Sequence, residues 1–100
     1  MNDNDFTKAK YYYNVLCTFY KNMIDNKDGF SKNSIINFLN DLTEYDLDLA
    51  KWYIGERNYE LYYDYHCGVK QDYDALEQMY KDLINIINDV IVSRNGLKKE

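Results

Sequence analysis

Proline is absent from the sequence, and glycine occurs only at Gly29, Gly55, Gly68 and Gly96. Those four glycines are therefore where breaks between elements are expected. Histidine is almost absent as well. The one imidazole, His66, is followed directly by Cys67, and neighbours along a chain rarely point at each other, so a thiol–imidazole dyad has no natural geometry here. The two cysteines, Cys17 and Cys67, stand in neither metal nor redox spacing. Two thiols and one imidazole also fall short of the four ligands a structural zinc takes. Both cysteines are read as reduced, small hydrophobes.

Long apolar runs are missing too. No stretch approaches the ~20 residues that a membrane-spanning helix needs. The start, Met1-Asn2-Asp3-Asn4-Asp5, is acidic where a secretory signal is basic, so the chain is expected to be soluble and intracellular. The glycine-rich phosphate loop, the dinucleotide fingerprint and the paired-histidine metalloprotease motif do not occur. The turn Asn26-Lys27-Asp28-Gly29-Phe30-Ser31 has a superficial likeness to a calcium loop. Aligning its glycine with the sharp-turn position, however, puts Ile24 and Ile35 where ligand oxygens belong. No cofactor, metal or enzymatic activity is expected.

Positive charge is in deficit: 12 basic residues face 17 acidic ones, a net charge of −5. Such a chain repels phosphates at long range, which disfavours a direct nucleic-acid partner.

What is present is a globular composition, 46% hydrophobic and 29% charged, over 100 residues. That size suits a single helical domain over residues 1–100 with one core. Phe6, Ala9, Tyr13, Leu16, Tyr20 and Met23 recur at alternating steps of three and four, one face of a first helix, with Tyr12, Val15 and Phe19 widening it. Asn4 or Asp5 is the expected cap, and the run from Asp25 to Gly29 the expected end. Ser31 opens a second helix, with Phe30 and Ile35 at the spacing of a hydrophobic staple. Ile35, Ile36, Leu39 and Leu42 form its inner side. Thr43 and Asp46 make a capping-box variant that opens a third, facing Leu47, Ala50 and Ile54 inward, with Trp52 or Tyr53 on a flank. The last helix should run from a cap at Asp72 to a stop at Asn95-Gly96. Tyr73, Leu76, Tyr80, Leu83, Ile87 and Val90 give it a heptad-like rhythm wide enough to leave room for a homodimer seam.

Residues 58–67 read two ways. Tyr59, Leu61, Tyr63 and Tyr65 alternate with more polar neighbours, the period of a half-exposed strand or wing. No second strand is available to pair with it, so a continuation of helix ending at Gly68 is favoured. The expectation is an all-α, compact bundle of four helices or five segments, with one short strand or wing near residues 59–67 as the lesser reading.

Two features point to function. Tyrosine is over-abundant, twelve in 100 residues, and three in a row at Tyr11-Tyr12-Tyr13 cannot all face one core. Exposed tyrosines suit protein interfaces, since each ring brings large area, few rotamers and a polar tip. Carboxylates also cluster along the chain. The candidate partner-binding residues are Tyr11, Tyr12, Asp41, Glu44, Asp46, Asp48, Tyr59, Tyr62, Tyr63, Asp64, Asp72 and Asp74. Together they suggest a small acidic module that docks on a basic surface of another protein, such as a nucleic-acid groove, in the manner of inhibitor, immunity or anti-defence proteins. The bland reading of the acids is helix starts complementing the macrodipole. The alternative function is a dimeric winged-helix DNA-binding regulator with residues 59–67 as the wing. It is weakened by Asp46, Asp48 and Glu56 against Lys51 and Arg57 in the reading segment.

Overall fold

A computed structural model describes residues 2–27, 29–66 and 73–98. Four helices, and no strand among the described residues, make up the fold: α1 (Asp3–Ile24), α2 (Lys32–Asn40), α3 (Glu44–His66) and α4 (Tyr73–Lys98). The chain is an all-α bundle, as the periodicity predicts. Residues 59–66 are the last turns of α3, so the segment that would serve as a wing is helical. Cys67, Gly68 and Asp72 lie outside the described residues.

The helix ends show which local signals decided. α1 starts earlier than its expected cap: Asn2, not Asn4 or Asp5, accepts the Asp5 amide at 2.8 Å. At its other end Asn26 takes a left-handed conformation, φ 56°, and two reversed hydrogen bonds close the helix. They run from Lys27 N to Asn22 O at 2.9 Å and from Asn26 N to Met23 O at 3.2 Å, a Schellman cap with asparagine in glycine's usual place. Ser34 reaches back to the Ser31 amide at 3.1 Å to open α2. Thr43 accepts the Asp46 amide at 3.1 Å to open α3, as the sequence indicates. The Asn95-Gly96 stop is not used. α4 continues to Lys98, because one glycine lowers helix stability by only ~1 kcal/mol and does not by itself terminate a helix.

Leu16, Ile35, Leu39, Leu47, Ile54, Leu83 and Ile87, drawn from all four helices, are fully buried in one cluster. No polar or charged residue is buried among the described residues; the polar atoms that the core residues bring with them include the hydroxyls of Tyr20 and Tyr80, which are hydrogen-bonded. Most of the predicted α1 stripe faces this core, but Phe6 does not: it is 48% exposed and lies edge-on against the ring of Tyr53. The α4 heptad residues turn inward to meet α3, the most extensive helix pair. Val92 is the large apolar side chain that α4 leaves clearly exposed among the described residues, so the stripe suggested as a dimer seam is occupied within the chain.

The helix directions follow from the contacts. Asp5 hydrogen-bonds Tyr45, and further along both helices the Tyr13 and Tyr53 rings meet, tilted, with centroids 5.0 Å apart, so α1 and α3 run parallel. α2 is the return path, with Phe38 against Phe19 and Tyr12 of α1 and Phe30, just before α2, against Phe19. α4 runs antiparallel to α3, pairing Tyr65 with Tyr73 at one end.

Arg94, in the last turns of α4, serves the end of another helix. Its Nη2 donates to Leu39 O at 3.1 Å and Asn40 O at 2.9 Å, satisfying carbonyls at the C-terminus of α2. Replacing Arg94 with Met should keep the aliphatic packing and lose both bonds. A destabilisation of about 1–2 kcal/mol is expected in urea unfolding; an unchanged midpoint would show that water replaces the guanidinium without cost.

Candidate functional site

Tyrosine chemistry divides the surface into side chains used by the fold and side chains left outside it. Tyr13 and Tyr80 share a hydrogen bond between hydroxyls at 2.8 Å beneath the α1–α3–α4 junction. Tyr20 donates to Asp82 at 2.6 Å, and Gln78 holds the other oxygen of that carboxylate at 2.8 Å. Burial, followed by the bond to Asp82, pushes the Tyr20 hydroxyl from its ordinary 10.0 up to about 12. Burial and the Tyr80 bond push Tyr13 up further. Tyr12 is raised by partial burial and by Asp46 beside it. Cys17 is buried, which pushes its thiol up and away from reactivity.

Six of the twelve tyrosines are well exposed: Tyr11, Tyr45, Tyr59, Tyr62, Tyr63 and Tyr65. Five of these belong to α3. That helix buries two sides, Leu49 and Tyr53 towards α1 and Leu47, Ala50, Ile54 and Leu61 in the main core. Its third side faces outward. Residues seven apart on a helix return to the same face within ~20°, so Tyr45, Trp52 and Tyr59 form one row, with Tyr63, Asp48 and Glu56 beside it. Trp52 is 40% exposed and Tyr59 68%; Asp48 and Glu56 are exposed as well. The row extends ~27 Å from Tyr45 to Tyr63 at ~1.5 Å per residue.

The charge of α3 is one-sided. It carries Glu44, Asp46, Asp48, Glu56, Glu60 and Asp64 against Lys51 and Arg57. Arg57 is turned aside from the outward row, lying 5.6 Å from the centroid of the Tyr53 ring and pairing with Glu60. Lys51 remains at the flank.

The residues singled out from sequence are thus partly united and partly dispersed. Asp48, Tyr59, Tyr62 and Tyr63 are exposed on α3. Asp64 lines a polar depression of about 170 Å³ with Tyr13, Arg57, Glu60, Leu61 and Tyr80, on the α1 side. Glu44 and Asp46 occupy the first turn of α3 and serve its N-terminus. That role is reinforced because the parallel packing sets the α1 N-terminus, with Asp3 and Asp5, next to it. Tyr11 and Tyr12 lie on α1, Tyr12 against Phe38 of α2. Asp41 caps the end of α2, Asp74 is exposed in the first turn of α4, and Asp72 lies outside the described residues.

Tyr45 and Phe6 belong to the exposed aromatic surface and were not singled out from sequence. The sequence puts Trp52 only on a flank. The heptad relation of Tyr45 and Trp52 to Tyr59 is readable in the sequence, but it becomes meaningful only once α3 is known to have an uncovered side.

Elsewhere, shallow depressions of about 360 and 330 Å³ lie on either side of the Tyr20–Asp82 bond. The first is lined by Ile24, Leu76 and Met79, the second by Lys32, Asn85 and Asp89. Among the described residues, no group of three or more His, Cys, Asp or Glu side chains could hold a metal ion, and no helix is long and apolar enough to cross a membrane.

Two outcomes follow from these side chains. The raised tyrosines stabilise the fold fully while both folded and unfolded forms are protonated, below pH 10.0. Above that, the unfolded chain ionises first. Stability should therefore fall as pH rises from about 10 to about 12, with a late phenolate fraction in ultraviolet titration of the native protein that Tyr20→Phe diminishes. Gly55→Ala should raise stability by about 1 kcal/mol in urea unfolding, because a Cβ at Gly55 meets nothing within 4 Å. Compared with protein-family models, with curated protein sequences and with solved structures, the chain matches none.

Proposed function

We propose that this protein is a non-enzymatic binding module whose outward α3 face docks on a positively charged surface of another protein, as small inhibitors and immunity proteins do. The observation that carries this reading is the row Tyr45, Trp52 and Tyr59, with Asp48, Glu56 and Tyr63 alongside: large rings held outside a core that is already complete. An isolated exposed ring is ordinary. A row of rings along one helix, set among carboxylates, offers both the apolar anchors and the charge that a protein interface uses. The net charge of −5 adds long-range attraction for a basic partner.

The DNA-binding alternative gains no support from the same surface. The segment from Asp46 to Arg57 presents Asp48 and Glu56 outward against one exposed cation, Lys51, and Arg57 lies on Tyr53.

The test is recovery of partners by tagged wild-type protein, in parallel with a double variant, Asp48→Lys with Glu56→Lys. The wild type should retain a protein partner at moderate salt and lose it as salt rises. The variant should keep its helical circular dichroism and bind about tenfold or more weakly. Repeated failure to recover a protein partner, or equal affinity of the two forms, overturns the reading.

A further inference from the structure

Gly55 stands in the middle of α3, and nothing inside the protein calls for it. Its backbone is ordinary helix. A Cβ added there meets nothing within 4 Å, so close packing does not require its absence. A helix interior nonetheless favours almost any other residue over glycine. Its position on the helix surface supplies the missing reason. Trp52 precedes it by about one turn and Tyr59 follows it by about one turn, both rings exposed, with the carboxylates of Asp48 and Glu56 near by. The absent side chain leaves a notch between two large rings, at the centre of the outward face.

We infer that this notch is the centre of the docking contact, and that its occupant is a cationic amphipathic α-helix of the partner, crossing α3 between Trp52 and Tyr59. The inference rests on the binding-module reading and deepens it by naming the class of partner element. Three features select a helix of that kind. The outward face is a single convex ridge whose backbone hydrogen bonds are all internal, so an extended strand finds no edge to pair with. Ridge-to-groove packing of a second helix needs a gap between neighbouring side chains, and a glycine deepens that gap. The charge is acidic on balance, Asp48 and Glu56 against the exposed Lys51 one turn before Gly55, and the rings beside them can take arginine on their faces, as Tyr53 already takes Arg57 at 5.6 Å.

A second copy of this chain fits poorly. Any two-fold pairing centred on Gly55 brings Glu56 of each copy beside the axis, and each chain carries a net charge of −5.

Trp52 is the only tryptophan in the chain, so its fluorescence reports on this face directly. The probe is a synthetic amphipathic helix of about 18 residues, made of Leu, Lys and Arg, titrated against the full-length protein. A proline-broken peptide of the same charge and composition otherwise serves as control. The helical peptide should shift Trp52 emission and bind at least tenfold more tightly than the control. Gly55→Leu, whose Cβ meets nothing within 4 Å, should weaken it about tenfold while leaving helicity and thermal midpoint at or above wild type. Equal binding of both peptides, unaffected by Gly55→Leu, overturns the helix-and-notch inference but leaves the acidic docking surface standing. No binding of either peptide removes support from both. A dimer in light scattering that Gly55→Leu dissociates overturns the inference in favour of self-association.

Discussion

α3 is held from two directions at once, and the rest of the bundle is arranged around that constraint. Its Leu49 and Tyr53 lie against Ala9 and Tyr13 of α1, while Leu47, Ala50, Ile54 and Leu61 meet the core shared with α4. A helix gripped on two sides keeps one side for water, and on α3 that side mixes large exposed rings with carboxylates. The parallel course of α1 and α3 follows from the first grip. It brings two positive helix ends together, and Asp3, Asp5, Glu44 and Asp46 answer that local charge. Acidity at this end of the molecule therefore favours the fold. Asp48 and Glu56, further along the exposed face, are not accounted for in that way.

Much of the architecture was legible because helix period is a local property. The α1 stripe from Ala9 to Tyr20, the Thr43 opening of α3 and the inward heptads of α4 all stand where side-chain spacing puts them. Local signals failed where several were equal or where a distant group decided. Asn2, Asp3, Asn4 and Asp5 are all competent caps, and the outermost wins because it lets the most residues join the helix. Gly96 has the chemistry of a stop, yet α4 passes through it. Arg94 could serve its own helix end; the arrival of α2 beside it supplies better acceptors.

The alternation at residues 59–65 shows how a helix can imitate a strand. Leu61 alone of that segment is buried, and Tyr59, Tyr62, Tyr63 and Tyr65 are exposed around it. Rings on the outside restore an apolar character to positions that a globular helix usually fills with polar residues, and the helical period disappears from the sequence pattern. The candidate site was obscured for the same reason. Counting tyrosines shows that some must be outside, but which helix is left uncovered is a matter of tertiary packing, so Trp52 and Tyr45 gained meaning only with the fold.

The bond between Arg94 and the end of α2 bears on the order in which the molecule can be assembled. Nine residues are too few for a helix to persist alone in water, and the last carbonyls of α2 await a guanidinium that lies more than fifty positions further along the chain. During synthesis the ribosome releases the second helix well before the residue that completes it. The share of α2's stabilisation that Arg94 supplies therefore arises only after translation has passed that residue, while packing on α1 is open to α2 from the start.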